Sequence, residues 1–321
     1  MNSKCILTAA ILAAILPAGL LAQSYPTKPV RIIVPLVPGG NLDIVARAVG
    51  QRLGEGLGQQ VIVENRPGAS SLVGTQYVAK SAADGYTLLA MANTFASVPS
   101  VVANPGYDPV KDFTGVTLTC KVAQVLVVTP ALPVKSVKEL VALAKARPGD
   151  LNYASGAPGA TSQLAAELFK SMAGVKIVWV PYKDNGPGVL SVLAGQTQIM
   201  FANAPGVEEL AKAGKVRILG VTTARASPVF PGVPSIAEAG VPGYEALTID
   251  AIVVPARTPA AIVNRLNQEI VRALNEPGTK KTLFNSGVVV VGGTPEELGA
   301  FIKSSIAKWS KVIKEAGAEV N

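Results

Sequence analysis

Short apolar runs alternate with stretches of helical period along almost the whole chain. "VRIIVPL" (30–36) has the length and branching of a buried strand. In "DIVARAVGQRLGEGL" behind it, Val45, Val49 and Leu53 recur at i, i+4 and i+8, one face of a helix. "QVIVENR" (60–66) reads as strand, "SLVGTQYVAKSA" as helix and "YTLLAMAN" (86–93) as strand. This βαβαβ order predicts a parallel sheet covered on both faces.

After "YDPVKDFTGVTLTC" the pattern restarts. Strands are expected at "VAQVLVVTP", "DLNYAS", "VKIVWVPY", "TQIMFAN" and "VRILGVTT". Helices are expected at "SVKELVALAKARPG", "TSQLAAELFKSMAG", "GVLSVLAGQ" and "VEELAKAGK". Ser136 with Glu139 is a capping box for the first of these helices. A strand at 247–256 follows. Then come two helices: one with Thr258 as N-cap and Pro259 at its first position, one with Thr294 as N-cap and Glu297 closing a box. Leu298, Ile302, Ile306 and Trp309 form a stripe on the last helix.

The fold class is therefore α/β, with two doubly wound units and no Gly/Ser or Pro linker between them. Crossings near 120–126 and 245–252 would make a two-stranded hinge with a cleft. Lobe 1 takes residues 23–122 and 248–321, and lobe 2 takes 123–247.

The first 22 residues stand apart from this pattern. Lys4 precedes the uncharged run "CILTAAILAAILPAGLLA", and the chain turns polar after it. This is a secretory signal peptide cut after Ala22, with Leu20 a poor residue before the cut. The competing reading is an uncleaved membrane anchor. Pro17, Gly19 and the lack of a basic stop-transfer cluster favour cleavage. The mature protein then keeps one cysteine, Cys120, in an apolar context that suits a buried small hydrophobe.

The chain contains 0 histidines. That removes Ser-His-Asp and Cys-His nucleophile systems and the usual zinc sites. No metal, cofactor or catalytic residue is expected, and the protein is not read as an enzyme. Loss of Lys4 takes Lys+Arg from 29 to 28 against 21 Asp+Glu, a net charge of +7. The basic residues are scattered without aromatic interleaving, so the partner is a small anion and not nucleic acid.

Ligands of open α/β sheets sit at the carboxyl ends of strands. The loops there are "PGGNLD" (38–43), "NTFAS" (93–97), "SGAPGATSQ" (155–163), "YKDNGPG" (182–188) and "NAPG" (203–206). The first and third each join strand to helix through glycines. Unpaired N–H groups and the helix dipole make such turns anion seats. The plainer reading is a corner that glycine merely permits. Neither loop matches a nucleotide fingerprint. Asp43 reads as a cap or loop tie, Asp184 as a solvated loop charge, and Asp250 as an acid in an apolar strand that needs a partner or a ligand donor. Phe95 and Trp179 offer rings to a ligand, with core packing the alternative.

Residues 25–70, "DGYTLL", "YDPVKDF", "LNYASGAPGATSQLAAELFK", "VPYKDNGPG" and "FPGVPSIAEAGVPGYE" resemble the Bug-type periplasmic receptors, the TctC-like substrate-binding proteins of tripartite tricarboxylate transporters. The resemblance runs through the whole mature chain. It implies a type II periplasmic binding protein, a two-lobed Venus flytrap, monomeric, that holds a small di- or tricarboxylate and delivers it to membrane transporter subunits. It implies one carboxylate on Pro38, Gly39, Gly40, Asn41, Leu42 and Asp43, with Ser155, Ala157, Gly159, Ala160, Thr161, Asn203 and Ala204 completing the seat. Asn93, Thr94, Phe95 and Asp250 join them as candidates from the loop and strand reading. Where the family often reads "FAPGGxxD", this chain has Leu36, Val37, Asn41 and Leu42, and "LTIDAIVV" replaces a stretch that often holds a Trp-Phe pair. Those departures suit an aromatic or bulky dicarboxylate. A sensory module for a histidine kinase and an exported carboxylate-processing enzyme are the alternative functions.

Overall fold

The computed structural model describes residues 25–203 and 207–317; the signal peptide expected over 1–22 lies outside them. The first half contains β1 (Val30–Val34), α1 (Asn41–Leu57), β2 (Val61–Asn65), α2 (Leu72–Ala79), β3 (Thr87–Met91) and the short α3 (Thr94–Ser97). A long strand, β4 (Phe113–Val128), leads into α4 (Val137–Ala146), β5 (Asn152–Ser155), α5 (Thr161–Ala173) and β6 (Val178–Pro181). Then follow α6 (Asn185–Leu193), β7 (Ile199–Asn203), α7 (Glu208–Lys212) and β8 (Arg217–Val221). The chain closes with β9 (Leu247–Pro255), α8 (Ala260–Asn275), α9 (Pro277–Asn285), β10 (Val288–Val290) and α10 (Pro295–Ala316).

The lobes share a strand. β1 pairs in parallel with β2 and β3, and β9 pairs antiparallel with β3 and β4. Phe113–Ala123 of β4 thus belongs to the first sheet, while Gln124–Val128 pairs with β7 and β8 in the second. The pattern break expected before "VAQVLVV" is absent. β4 runs through it as one strand, and bulges at Gly115/Thr117 and Leu118/Cys120 absorb the irregular alternation.

Each sheet is packed on both faces, as a doubly wound sheet requires. Ile32 and Val34 of β1 face α1 and α8 with Val45, Val49, Leu53 and Leu266. Ile33 faces the other way, with Leu89, Phe95, Tyr107 and Phe113. In the second lobe Leu126 and Phe201 pack under α4 and α5, and Val125, Val127 and Met200 pack on the opposite side.

The helix starts test the capping expectations. Thr294 accepts from the Glu297 N–H at 3.2 Å and Glu297 Oε2 accepts from the Thr294 N–H at 2.8 Å, so that box is complete. At α4 only half forms: Ser136 accepts from Glu139, but Glu139 Oε2 takes the Lys135 N–H at 2.7 Å. Before α8 the N-cap is Pro259, one residue later than expected, because Thr258 Oγ1 turns back to donate to Pro255 O at 2.7 Å. α9 and β10 were not visible as separate elements; Glu276 starts α9 by accepting from the N–H groups of Gly278 and Thr279.

The stripe on α10 is buried at Leu298, Ile302 and Trp309 and half-buried at Ile306. Its two ends serve different cores. Leu298 and Ile302 join the cluster of Phe95 and Leu89, whereas Trp309, Val312 and Ile313 join that of Phe169, Phe201 and Tyr244. Lobe 1 therefore does not hold all of 248–321. The helix straps the two lobes together, because its stripe is longer than either core.

Candidate functional site

A cavity of about 570 Å³ opens where the carboxyl ends of the strands from both lobes meet. Its lining includes Leu36 to Val37 and Gly40 to Asp43 from the β1–α1 turn, Pro67 to Ser71 before α2, and Thr94 at α3. The second lobe contributes Gly156, Ala157, Ala160, Thr161 and Ser162, then Lys183 to Asn185, then Asn203. Gln124, Thr248 and Asp250 come from β4 and β9.

Helices α1, α5 and α6 start on this lining, as does the one-turn α3 at Thr94. The N-caps of α1 and α5 are Gly40 and Ala160, which carry no side-chain acceptor. The first N–H groups of both helices are thus left for something other than a cap, at the positive ends of two dipoles. At α6 the Asp184 side chain does cap, accepting from the Asn185 N–H at 2.6 Å. Asp184 is therefore a cap as well as a cavity-lining loop charge.

The first turn is held by Asp43. Its Oδ2 accepts from the Gly39 N–H at 3.0 Å and from Arg47 Nε at 3.0 Å, and its Oδ1 accepts from Asn65 Nδ2 at 3.0 Å. Asn65 also donates to Leu36 O at 3.1 Å, closing the turn from the neighbouring strand. Burial would raise the Asp43 pKa, but the bonds from Arg47, Gly39 and Asn65 outweigh it and hold the carboxyl below its ordinary value. Gly39 sits at φ +88, a conformation only glycine adopts freely, which aims its N–H at Asp43.

The second turn is built differently. Gly156 N–H donates to Ser162 Oγ at 3.0 Å, and Gly159 N–H donates to Gln163 Oε1 at 2.7 Å, so side chains of α5 fold the loop over its own helix start. Gly159 O accepts from Ser97 Oγ at 2.8 Å, a direct bond between the lobes. A third segment escaped the sequence reading. Ala69, Ser70 and Ser71 are consecutive non-glycine residues at φ 46, 53 and 75, a left-handed turn that presents Ser70 and Ser71 to the cavity. Ser71 Oγ donates to Thr94 Oγ1 at 2.9 Å. The available signal was "PGASS", a run of small and turn-forming residues directly after a strand.

Of the sequence candidates, Gly40, Asn41, Leu42, Asp43, Thr94, Ala157, Ala160, Thr161, Asn203 and Asp250 line the cavity. Pro38, Gly39, Asn93, Phe95, Ser155 and Gly159 do not. Pro38 and Gly39 form the outside of the turn. Phe95 is core, stacked on Tyr107 at 5.7 Å and edge-on to Phe113 at 5.0 Å. Asn93 is consumed by β9: its amide donates to Leu247 O and its carbonyl accepts from the Ile249 N–H, both at 2.8 Å. Ser155 is buried and accepts from Trp179 Nε1 at 2.7 Å, and the Trp179 ring packs against the second-lobe core, off the cavity lining. Gly159 spends its N–H and carbonyl on protein partners. Ala204 lies outside the described residues. The sequence reading missed Ser70, Ser71, Gln124 and Thr248, and named Asn185 only as part of the 182–188 loop.

Asp250 is 1% exposed and pairs across the strands with Cys120. The Cys120 thiol donates to Asp250 Oδ2 at 3.5 Å, while Oδ1 has no partner. Burial pushes its pKa up to about 7, the thiol bond opposing only weakly. The native state then binds a proton that the unfolded chain has released between the ordinary carboxyl pKa and about 7. Stability contributed there is full at acid pH and is lost as pH rises through about 7. Denaturant unfolding should show Asp250→Asn gaining stability on the wild type as pH climbs, by a few kcal/mol above neutrality, with the gain vanishing in acid. A pH-independent difference would contradict this reading of the site.

Among the described residues, no group of three or more His, Cys, Asp or Glu is placed to hold a metal ion, and no helix is long and apolar enough to cross a membrane.

The model of the tripartite tricarboxylate transporter family receptor matches residues 45–318. The chain belongs to that family. It is 36% identical over 305 residues to protein BugT of Bordetella pertussis, covering 94% of each chain. Among solved structures it is similar to R. palustris Rpa4515 with adipate, at 39% identity and TM-score 0.83, covering 91% of this chain and 98% of that one. It is also similar to MatC (Rpa3494) from Rhodopseudomonas palustris with bound malate, at 28% identity and TM-score 0.79, covering 90% and 100%. The family consists of substrate-binding receptors, so this chain is a receptor and not an enzyme, and the two lobes are those of a Bug-type binding protein.

Proposed function

We propose that the receptor captures a small carboxylate anion in the cavity between its lobes and, in the periplasm, delivers it to the membrane subunits of a tripartite tricarboxylate transporter. The carrying observation is the pair of uncapped helix starts, α1 and α5, one from each lobe, on a single cavity. Their free N–H groups and dipoles favour an anion, with the exposed Lys183 the one cationic side chain on the lining among the described residues. Relatives solved with adipate and malate support a carboxylate as that anion.

Asn41 Nδ2 adds a buried unpaired side-chain donor at the start of α1 on the cavity. The carboxylate is held by backbone N–H groups at the start of α1, by Asn41, and by the start of α5 when the lobes close about β4 and β9. The hinge lies near 123 and 247, where β4 passes from one sheet to the other and β9 begins. The mature protein starts after a signal peptide over 1–22.

Titration calorimetry of ligand-free protein against a panel of aliphatic and aromatic carboxylates tests the reading. A micromolar or tighter ligand is expected, with compaction in small-angle scattering. Silence across the panel, with a normally folded protein, would overturn it.

A further inference from the structure

The sheet at the base of the cavity carries polar chemistry that carboxylate capture does not use. Asp250 and Thr248 are two apart on β9 and face Cys120 and Val122 of β4. Gln124, two beyond Val122, faces Asn203 of β7. By strand alternation the four polar residues form one row across β9, β4 and β7, on one face of the sheet. All four line the cavity.

The row is short of hydrogens. Asp250 Oδ1, Gln124 Oε1 and Thr248 Oγ1 are buried without a partner. Asn185 Oδ1, at the start of α6 on the same lining, is another unpaired acceptor. Gln124 turns its Nε2 to Asn203 Oδ1 at 3.5 Å, which leaves its carbonyl oxygen for the cavity. Gln124 and Asp250 are each 1% exposed, so bulk water does not relieve them. A carboxylate and an amide oxygen cannot satisfy each other, and the threonine hydroxyl supplies a single hydrogen. Buried polar groups are ordinarily paired, and exceptions on a cavity wall point to what fills the cavity.

We infer that this row is a hydrogen-bond-acceptor subsite: the receptor takes carboxylates whose second polar group is a donor, a hydroxyl or an ammonium, and disfavours a second ionised carboxylate. The inference rests on the carboxylate reading above and divides the labour of the site. Backbone N–H groups at the helix starts take the anion, and side-chain oxygens on the sheet take the donor. A second carboxylate laid on the row would meet Asp250 Oδ1 and Gln124 Oε1, acceptor against acceptor. It would bind only with a proton shared between it and Asp250.

The charged groups around the row offer no alternative counter-ion. The other ionisable side chains lining the cavity are Asp43, Asp184 and Lys183. Asp43 is bound to Arg47, Asp184 caps α6, and Lys183 is exposed to solvent. The thiol of Cys120 is the one group bonded to the Asp250 carboxyl among the described residues. Burial raises the pKa of both, so the Cys120 proton stays on sulfur and Asp250 is the group that titrates near neutrality.

The experiment compares chain-length-matched sets by calorimetry on the mature protein freed of ligand: succinate, glutarate and adipate, each against its ω-hydroxy and ω-amino monocarboxylate. At about pH 8, with Asp250 ionised, the donor-ended member of a set should bind at least about tenfold tighter than the dicarboxylate. Asp250→Asn should narrow that ratio and raise dicarboxylate affinity, and lowering the pH to about 6 should do the same for the wild type, with proton uptake. Greater gain for the amino than the hydroxy member identifies a cation as the preferred donor, and equal gain a neutral one. Thr248→Val, which removes a row member without touching charge, gives an independent loss of donor preference if Asp250→Asn does not fold. Dicarboxylates that bind as tightly as their donor-ended partners, unaffected by either substitution, overturn the inference. If no member of any set binds, to wild type or variant, the carboxylate reading itself falls.

Discussion

Asp43→Ala is expected to cost the receptor its carboxylate affinity by about a hundredfold or more, although Asp43 itself carries the wrong charge for an anion. The residue works through the turn. Its two oxygens gather the Gly39 N–H, Arg47 Nε and Asn65 Nδ2, and it is 4% exposed. Alanine leaves the Gly39 N–H and Arg47 Nε without that acceptor and Asn65 Nδ2 with Leu36 O alone, and Gly39 at φ +88 has no reason to stay there. The first N–H groups of α1 then lose their aim. Denaturant unfolding should show a loss of about 2–3 kcal/mol, held down because the half-exposed Arg47 regains water. Asp43→Asn keeps the shape and should fall between the two in both measurements. Wild-type affinity in Asp43→Ala would show that the turn does not position the anion.

Trp309→Ala should be the largest single loss of stability, about 3–5 kcal/mol in denaturant unfolding. The ring lies in the second-lobe cluster with Phe169, Phe201 and Tyr244, and its helix begins in the first-lobe cluster at Leu298. Truncation opens a cavity under the strap, so hydrogen exchange should accelerate in α5 as well as along α10. Leu298→Ala, a smaller deletion of about 2–5 kcal/mol at the other end, should loosen α10 against the first lobe and leave α5 protected. If both variants loosened the same lobe, α10 would not be a strap between two cores.

These two residues also mark how far the sequence could be read. Asp43 was legible as a loop tie, because an acid in the first turn of a helix behind Gly-Gly has few other uses. Its partners were not: Arg47 lies one helical turn on, but Asn65 comes from the next strand, 22 residues away. Trp309 was legible as buried, since its place in the i, i+4 stripe demands a core. Which core was not, because periodicity gives a face and not a neighbour. Phe95 was misplaced among the candidates for a related reason. It follows a strand at the carboxyl edge, where ligands bind, but Tyr107 and Phe113 return on a later loop and strand to enclose it.

The alternation of apolar runs determined the two doubly wound lobes and the order of their elements, because burial of a strand or helix face is a local property of residue spacing. The glycines of "PGGNLD" and "SGAPGATS" determined where a turn could leave N–H groups free. The tertiary structure decided which residues meet. Gln124, Asn203 and the Thr248–Asp250 pair stand far apart in the chain and come into one row through strand register, which no local pattern encodes. "PGASS" reaches the cavity through three left-handed residues that its composition does not demand. The proposed anion seat was therefore nameable from the sequence, since it would be made of backbone at helix starts. The floor beneath it was not, since it exists only once β4 lies between β9 and β7.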